Sequence, residues 1–249
     1  MPFATKVPFD HAEVVEAVGN AANASVCFSR LGLKSGLISN VGEDLYGRDI
    51  IGALKKNGVD TRFVHINPDK ISNYHYVLWY KEERTILIKH EEYDYQWPRF
   101  RDNDIPKWIY FSSISKNALE KYHYMISEWL AENQEVKFAL QPGTYQLEAG
   151  AERLKELDAR TEVLVVNREE AVTISGGKYD DLHGLLDSLH NMVPKIVVIT
   201  DAPACAYSAA GPNRTNRPPY ADPAPPFPRT VAARSFASTL SRAIFLALN

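Results

Sequence analysis

Four short stretches of the chain carry residue types that could do chemistry. Gly19-Asn20-Ala21-Ala22-Asn23 opens a helical segment. Its small residues let a ligand approach the backbone, and its two carboxamides can donate to and accept from hydroxyls. Taken alone, the stretch also reads as an N-cap with a small-residue packing face. Val41-Gly42-Glu43-Asp44-Leu45-Tyr46-Gly47 leaves a strand and enters a helix, which alone is an N-capped turn. Asn167 and Glu170 follow an apolar strand directly, and their i, i+3 spacing puts both on one helical face. A carboxylate there could organise hydrated Mg2+ around phosphates; a capping box is the alternative. Thr200-Asp201 ends the most β-branched run, where a hydroxyl and backbone amides could meet a phosphate or simply form a turn. The seven histidines show no HExxH or Cys/His spacing and read as surface or hydrogen-bonded residues.

These residues need a scaffold, and the pattern of apolar residues supplies one. Residues 21–31, 44–57, 117–133, 147–157, 168–174 and 182–192 read as helices. Residues 35–41, 64–66, 108–111, 136–140, 163–166 and 195–200 read as strands, mostly short apolar runs of the kind buried on both faces. The alternation predicts an α/β fold, a mostly parallel sheet with helices on both faces. Ligands of such sheets bind beyond the carboxyl ends of the strands, where Asn167 and Thr200 fall. Residues 73–89 break the pattern: they alternate, are rich in Tyr, Val, Trp and Ile, and turn at 81–84, as a β-hairpin appended to the main sheet does. Residues 218–228 are proline-rich and serve as a linker or as a rigid loop into a last helix at 232–248.

The composition narrows the class. The chain has 249 residues, 45% hydrophobic and 24% charged, with a net charge of -3, which suits a soluble globular protein. No basic excess supports a nucleic-acid partner, and no apolar run approaches the roughly 20 residues of a membrane helix. The N-terminus lacks the pattern of a signal peptide. With only Cys27 and Cys205, no disulfide framework is expected and the cytoplasm is the expected location.

In order and spacing, the stretches NAAN, VGEDLYG, QPGTYQL, VVNREEA, ITDAPACAYSA and DPAPPFPRT with FAS resemble the ribokinase-like (PfkB) family of carbohydrate kinases along nearly the whole chain. The resemblance implies a three-layer ribokinase-like core, one kinase domain over residues 1–249, with a small β lid at about 73–90. It implies an ATP- and Mg2+-dependent kinase acting on a sugar or nucleoside hydroxyl, with a homodimer through the lid. By that resemblance Gly19, Asn20 and Asn23 would hold substrate hydroxyls. Asp44 and Gly47 match the VGxDxxG turn. Asn167, Thr200 and Asp201 would serve the nucleotide, and Glu170 would act on the metal.

The chain departs from the family pattern in four places. Val18 replaces the first glycine of GGNAAN, and the TDGxxG turn reads Thr200-Asp201-Ala202-Pro203-Ala204-Cys205. Where the family has Gly-Ala-Gly-Asp, this chain has Val231-Ala232-Ala233-Arg234. Arg234 thus occupies the position of the catalytic base, and Val231 and Ala233 replace the glycines of the anion hole. Both ends are expected to be short, leaving a central strand absent and a sheet edge unpaired or rearranged.

Overall fold

A computed structural model describes residues 4, 6–80, 83–150, 159–192, 195–201 and 205–218. The main sheet has six strands: β5 (Trp108–Phe111), β6 (Lys137–Leu140), β7 (Thr161–Asn167), β8 (Ile196–Asp201), β9 (Cys205–Ala210) and β10 (Asn213–Arg217), lying side by side in chain order. Strands β5 to β8 are parallel, while β9 and β10 add on antiparallel. The four parallel strands therefore bring their carboxyl ends to one edge.

Helices cover both faces, which makes three layers. On one face, α3 (Leu119–Glu132), α5 (Arg168–Ser175) and α6 (Leu182–Met192) pack against the sheet, joining Ile126, Leu130, Ala171 and Leu185 to Phe138, Leu140, Val166 and Ile199. On the other face, α1 (Asn20–Arg30) sets Ala24 and Phe28 against Ala139, Val163, Val165 and Val198. Because β7 and β8 are sealed above and below, every position from Val163 to Val166 is apolar, as burial on both faces demands.

Two smaller sheets stand apart. β1 (Ser39–Gly42) and β2 (Val64–Asn67) form a parallel pair under α2 (Leu45–Lys56). The predicted strand at 35–41 is thus shorter and starts later, with only a lone bridge from Gly36 to Asp60 before it. Among the described residues the pair does not join the main sheet, whose two edge strands are β5 and β10. Among the described residues the hairpin β3 (Tyr74–Tyr80) and β4 (Glu83–Lys89) pairs only with itself, as its alternating pattern predicts.

Periodicity missed β9 and β10. The first is Cys-Ala-Tyr-Ser-Ala-Ala, mostly small residues with no β-branched side chain, and the second is Asn-Arg-Thr-Asn-Arg, exposed throughout at the edge. Both owe their conformation to the strand beside them rather than to propensity. The helix predicted at 147–157 begins earlier, as α4 (Thr144–Ala149), and residues 151–158 lie outside the described residues. So do residues 219–249, with most of the proline-rich loop and the predicted last helix.

Candidate active site

The carboxyl edge of β7 and β8 is built by strand register. Asn167, the last residue of β7, pairs with Thr200, one residue before the end of β8, so the two strand ends sit side by side. Asn167 then caps α5: its Oδ1 accepts from the Glu170 amide at 2.7 Å, and the Glu170 carboxylate accepts from the Asn167 amide at 2.8 Å. The capping-box alternative is the arrangement present. Thr200 Oγ1 donates back to the Val166 carbonyl at 3.3 Å. Asp201 faces Cys205 across the start of β9. Its carboxylate accepts from Arg168 Nη1 at 2.8 Å, in a pair with side chains only 19% and 16% exposed.

The start of α1 joins the same edge. Gly19 is its N-cap with φ 127°, a conformation that side-chain-bearing residues rarely adopt, so glycine is required there. The Gly19 carbonyl accepts from the Asn23 amide at 2.9 Å. Asn20 Nδ2 donates to Ser113 Oγ at 2.7 Å, two residues beyond the end of β5. Gly143, in the loop after β6, packs so closely on Ser113 that a Cβ would overlap it. The Asn23 side chain is half-buried one turn after Asn20 and makes no hydrogen bond to a described residue.

The VGxDxxG stretch is a polar knot at the base of the hairpin. Asp44 Oδ1 accepts from the Gly47 amide at 2.8 Å and from the Ser72 hydroxyl at 2.7 Å, while Oδ2 accepts from the Ser72 amide at 2.9 Å. The Gly42 amide donates to Ser72 Oγ at 3.0 Å. A side chain at Gly42 would strike the Lys70 and Ile71 backbone, and one at Gly47 would strike the Gly42 carbonyl, so both glycines permit close backbone approach. Burial pushes the Asp44 carboxyl up, but hydrogen bonds from Ser72 and Gly47 outweigh it and hold it below the usual carboxylate range. Beside the knot lies a cleft of about 240 Å³ lined by Glu43, Arg48, Ile51 and Ile66.

Sequence reasoning did not single out Arg168, Ser72 or Ser113. Arg168 had a usable signal, a cation directly after a strand's carboxyl end; the serines had none. Val231, Ala232, Ala233 and Arg234 lie outside the described residues. Among the described residues, no group of three or more His, Cys, Asp or Glu is arranged to hold a metal, and no helix is long and apolar enough to cross a membrane.

With this geometry in place, comparison with known proteins is direct. Residues 10–222 match the pfkB family of carbohydrate kinases. The chain belongs to that family. Probable fructokinase-5 of Arabidopsis thaliana is 22% identical over 215 residues, covering 76% of this chain and 62% of that protein. Aminoimidazole riboside kinase of Salmonella typhimurium is 36% identical over 104 residues, 39% of this chain and 31% of that protein. This pfkB-family chain therefore spans under two thirds of the length of either relative. An E. coli protein called Ribokinase II, solved in complex with ATP and Mg2+, superposes with a TM-score of 0.72 at 17% identity, over 98% of this chain and 82% of that one. The fold is ribokinase-like.

Proposed function

We propose that this chain is, by descent, an ATP-dependent kinase of a sugar or nucleoside hydroxyl whose own catalysis is impaired. The observation that carries the reading is the family match over residues 10–222. The carboxyl edge supports it with a suitable set of groups. In this reading Gly19, Asn20 and Asn23 hold substrate hydroxyls, and Asn167, Thr200 and Asp201 serve the nucleotide. Glu170 orients water on Mg2+; a carboxylate beside the neutral oxygens of Asn167 and Thr200 suits a hard cation that keeps much of its hydration. When bound with ATP, Mg2+ would neutralise phosphate charge. All of residues 1–249 form one kinase domain, in which the 73–90 hairpin acts as lid, and the protein works in the cytoplasm.

The impairment follows from Val231-Ala232-Ala233-Arg234. A guanidinium cannot accept the proton of a substrate hydroxyl at any working pH. Loss of a positioned base costs on the order of 10²- to 10⁴-fold in rate. A second reading, a non-catalytic fold that binds a small molecule or acts through dimerisation, is favoured by the hairpin. Tyr76, Leu78 and Leu87 on one face and Val77, Ile86 and Ile88 on the other are all exposed.

The deciding experiment pairs calorimetric titration of Mg·ATP with an ATP-consumption assay against pentoses, hexoses and nucleosides. ATP binding with turnover far below that of the relatives is expected. Robust sugar-dependent turnover removes the impairment, and absence of ATP binding removes the kinase reading. The triple replacement Val231→Gly, Ala233→Gly and Arg234→Asp should raise turnover if the rest of the site is competent.

A further inference from the structure

The strands β7 and β8 are clamped by an ion pair at each end, and the two pairs differ. At the amino end, Lys195 Nζ meets Glu162 Oε1 at 2.6 Å, with the lysine side chain 57% exposed. At the carboxyl end, Arg168 is gripped from three sides. Nη1 donates to Asp201 at 2.8 Å, Nε donates to the Tyr179 carbonyl at 2.8 Å, and the guanidinium Cζ lies 4.4 Å from the Tyr179 ring centroid. One side chain thus ties together the N-terminus of α5, the loop after α5 and the last residue of β8. Exposed pairs such as the first contribute little and are screened by salt. A shielded arginine fork fixes geometry as well as charge.

The fold does not depend on this clamp, because the layer beneath it is already closed. Val166 and Ile199 are fully buried and hold β7 to β8 without help from the rim. What the clamp holds is the rim itself. Asp201 ends β8 and pairs with Cys205 at the start of β9, and its neighbour Thr200 pairs with Asn167.

We infer that Arg168 is a positioning residue: acting through Asp201, it sets the rim at Asn167 and Thr200 in the shape that binds Mg·ATP. This rests on the kinase reading above. Arg168 fixes where the end of β8 sits, and Tyr179 keeps the guanidinium from swinging away. A lysine keeps the charge but cannot reach both Asp201 and the Tyr179 carbonyl with a planar fork.

The test is Mg·ATP titration of the full chain carrying Arg168→Gln, Asp201→Asn, both together, Arg168→Lys or Lys195→Gln, each measured well below its unfolding midpoint. Arg168→Gln and Asp201→Asn should each weaken binding about tenfold, or ~1.4 kcal/mol. The double variant should be no weaker than either single, because the two residues act as one unit. Arg168→Lys should recover only part of the affinity, and Lys195→Gln should leave it unchanged. Additive losses would show that Arg168 acts independently of Asp201 and overturn the inference. So would an equal loss from Lys195→Gln, which would make the effect one of general sheet stability. Wild type that binds ATP with Arg168→Gln unchanged overturns the role of Arg168 alone; wild type that binds no ATP overturns the kinase reading and this role with it.

Discussion

The β7–β8 pair and the β3–β4 hairpin are written in similar residues and end in opposite environments. Val163, Val166, Val197, Val198 and Ile199 are fully buried between helical layers, whereas Leu87 is 53% and Ile88 62% exposed. Strand propensity is satisfied in both; what differs is cover. A two-stranded hairpin is marginal by itself, so the order of this one rests on its base. There the Asp44–Ser72 knot, the Tyr93 hydroxyl donating to the Ile71 carbonyl at 2.7 Å, and the Tyr46–Tyr74 ring contact attach it to the rest. The sheet is held by packing and the hairpin by a few polar bonds, and the two should fail differently.

The largest contrast comes from the core. Phe138→Ala removes a fully buried ring and should cost about 3–5 kcal/mol in urea unfolding. A loss below about 1 kcal/mol would mean that the sheet is not where stability resides. At the hairpin base, Asp44→Ala removes the α2 cap and both bonds to Ser72, and should cost about 2 kcal/mol. Hydrogen exchange should place that loss in the hairpin amides, with β7 and β8 protected as before; uniform loss would erase the contrast. The folded Asp44 carboxyl lies below its unfolded value. Its contribution is therefore present above the ordinary carboxylate range and disappears as pH falls through that range and below. Asp44→Ala should flatten this acid limb of the stability curve.

A smaller effect is expected of His75, whose ring lies 5.6 Å from that of His90. Burial, and then the charge of His90, hold the His75 pKa below its ordinary value. Protonation thus favours the opened hairpin, and stability present above the ordinary histidine range is lost as pH falls through it. Hairpin amides should exchange faster at about pH 5.5 than at about 7.5 once intrinsic rates are removed, and His90→Gln should blunt the difference. Smallest of all, Leu87→Ser and Ile88→Ser should change the unfolding free energy of dilute protein by no more than about 0.5 kcal/mol. If the hairpin seats a second copy of the chain, the same replacements should shift size-exclusion elution at high concentration toward the monomer.

How far the chain spells out its own structure depends on the range of the interactions involved. Apolar runs such as 163–166, and the two-residue alternation from 73 to 89, are local properties of sequence. They determined the parallel strands and the separate hairpin. The Asn167–Glu170 pair was readable in the same way, because a capping box closes over three residues. Local pattern could not determine β9 and β10, which have weak or polar sequences and become strands because β8 offers hydrogen bonds to β9 and β9 in turn to β10. Nor could it show why Gly42 is a glycine, since the backbone it admits is that of Lys70 to Ser72. The bond from Ser72 to Asp44 spans 28 positions and that from Arg168 to Asp201 spans 33. No periodicity reports such pairs: each polar side chain has many acceptable partners, and only packing of the layers decides which one it meets at hydrogen-bonding distance.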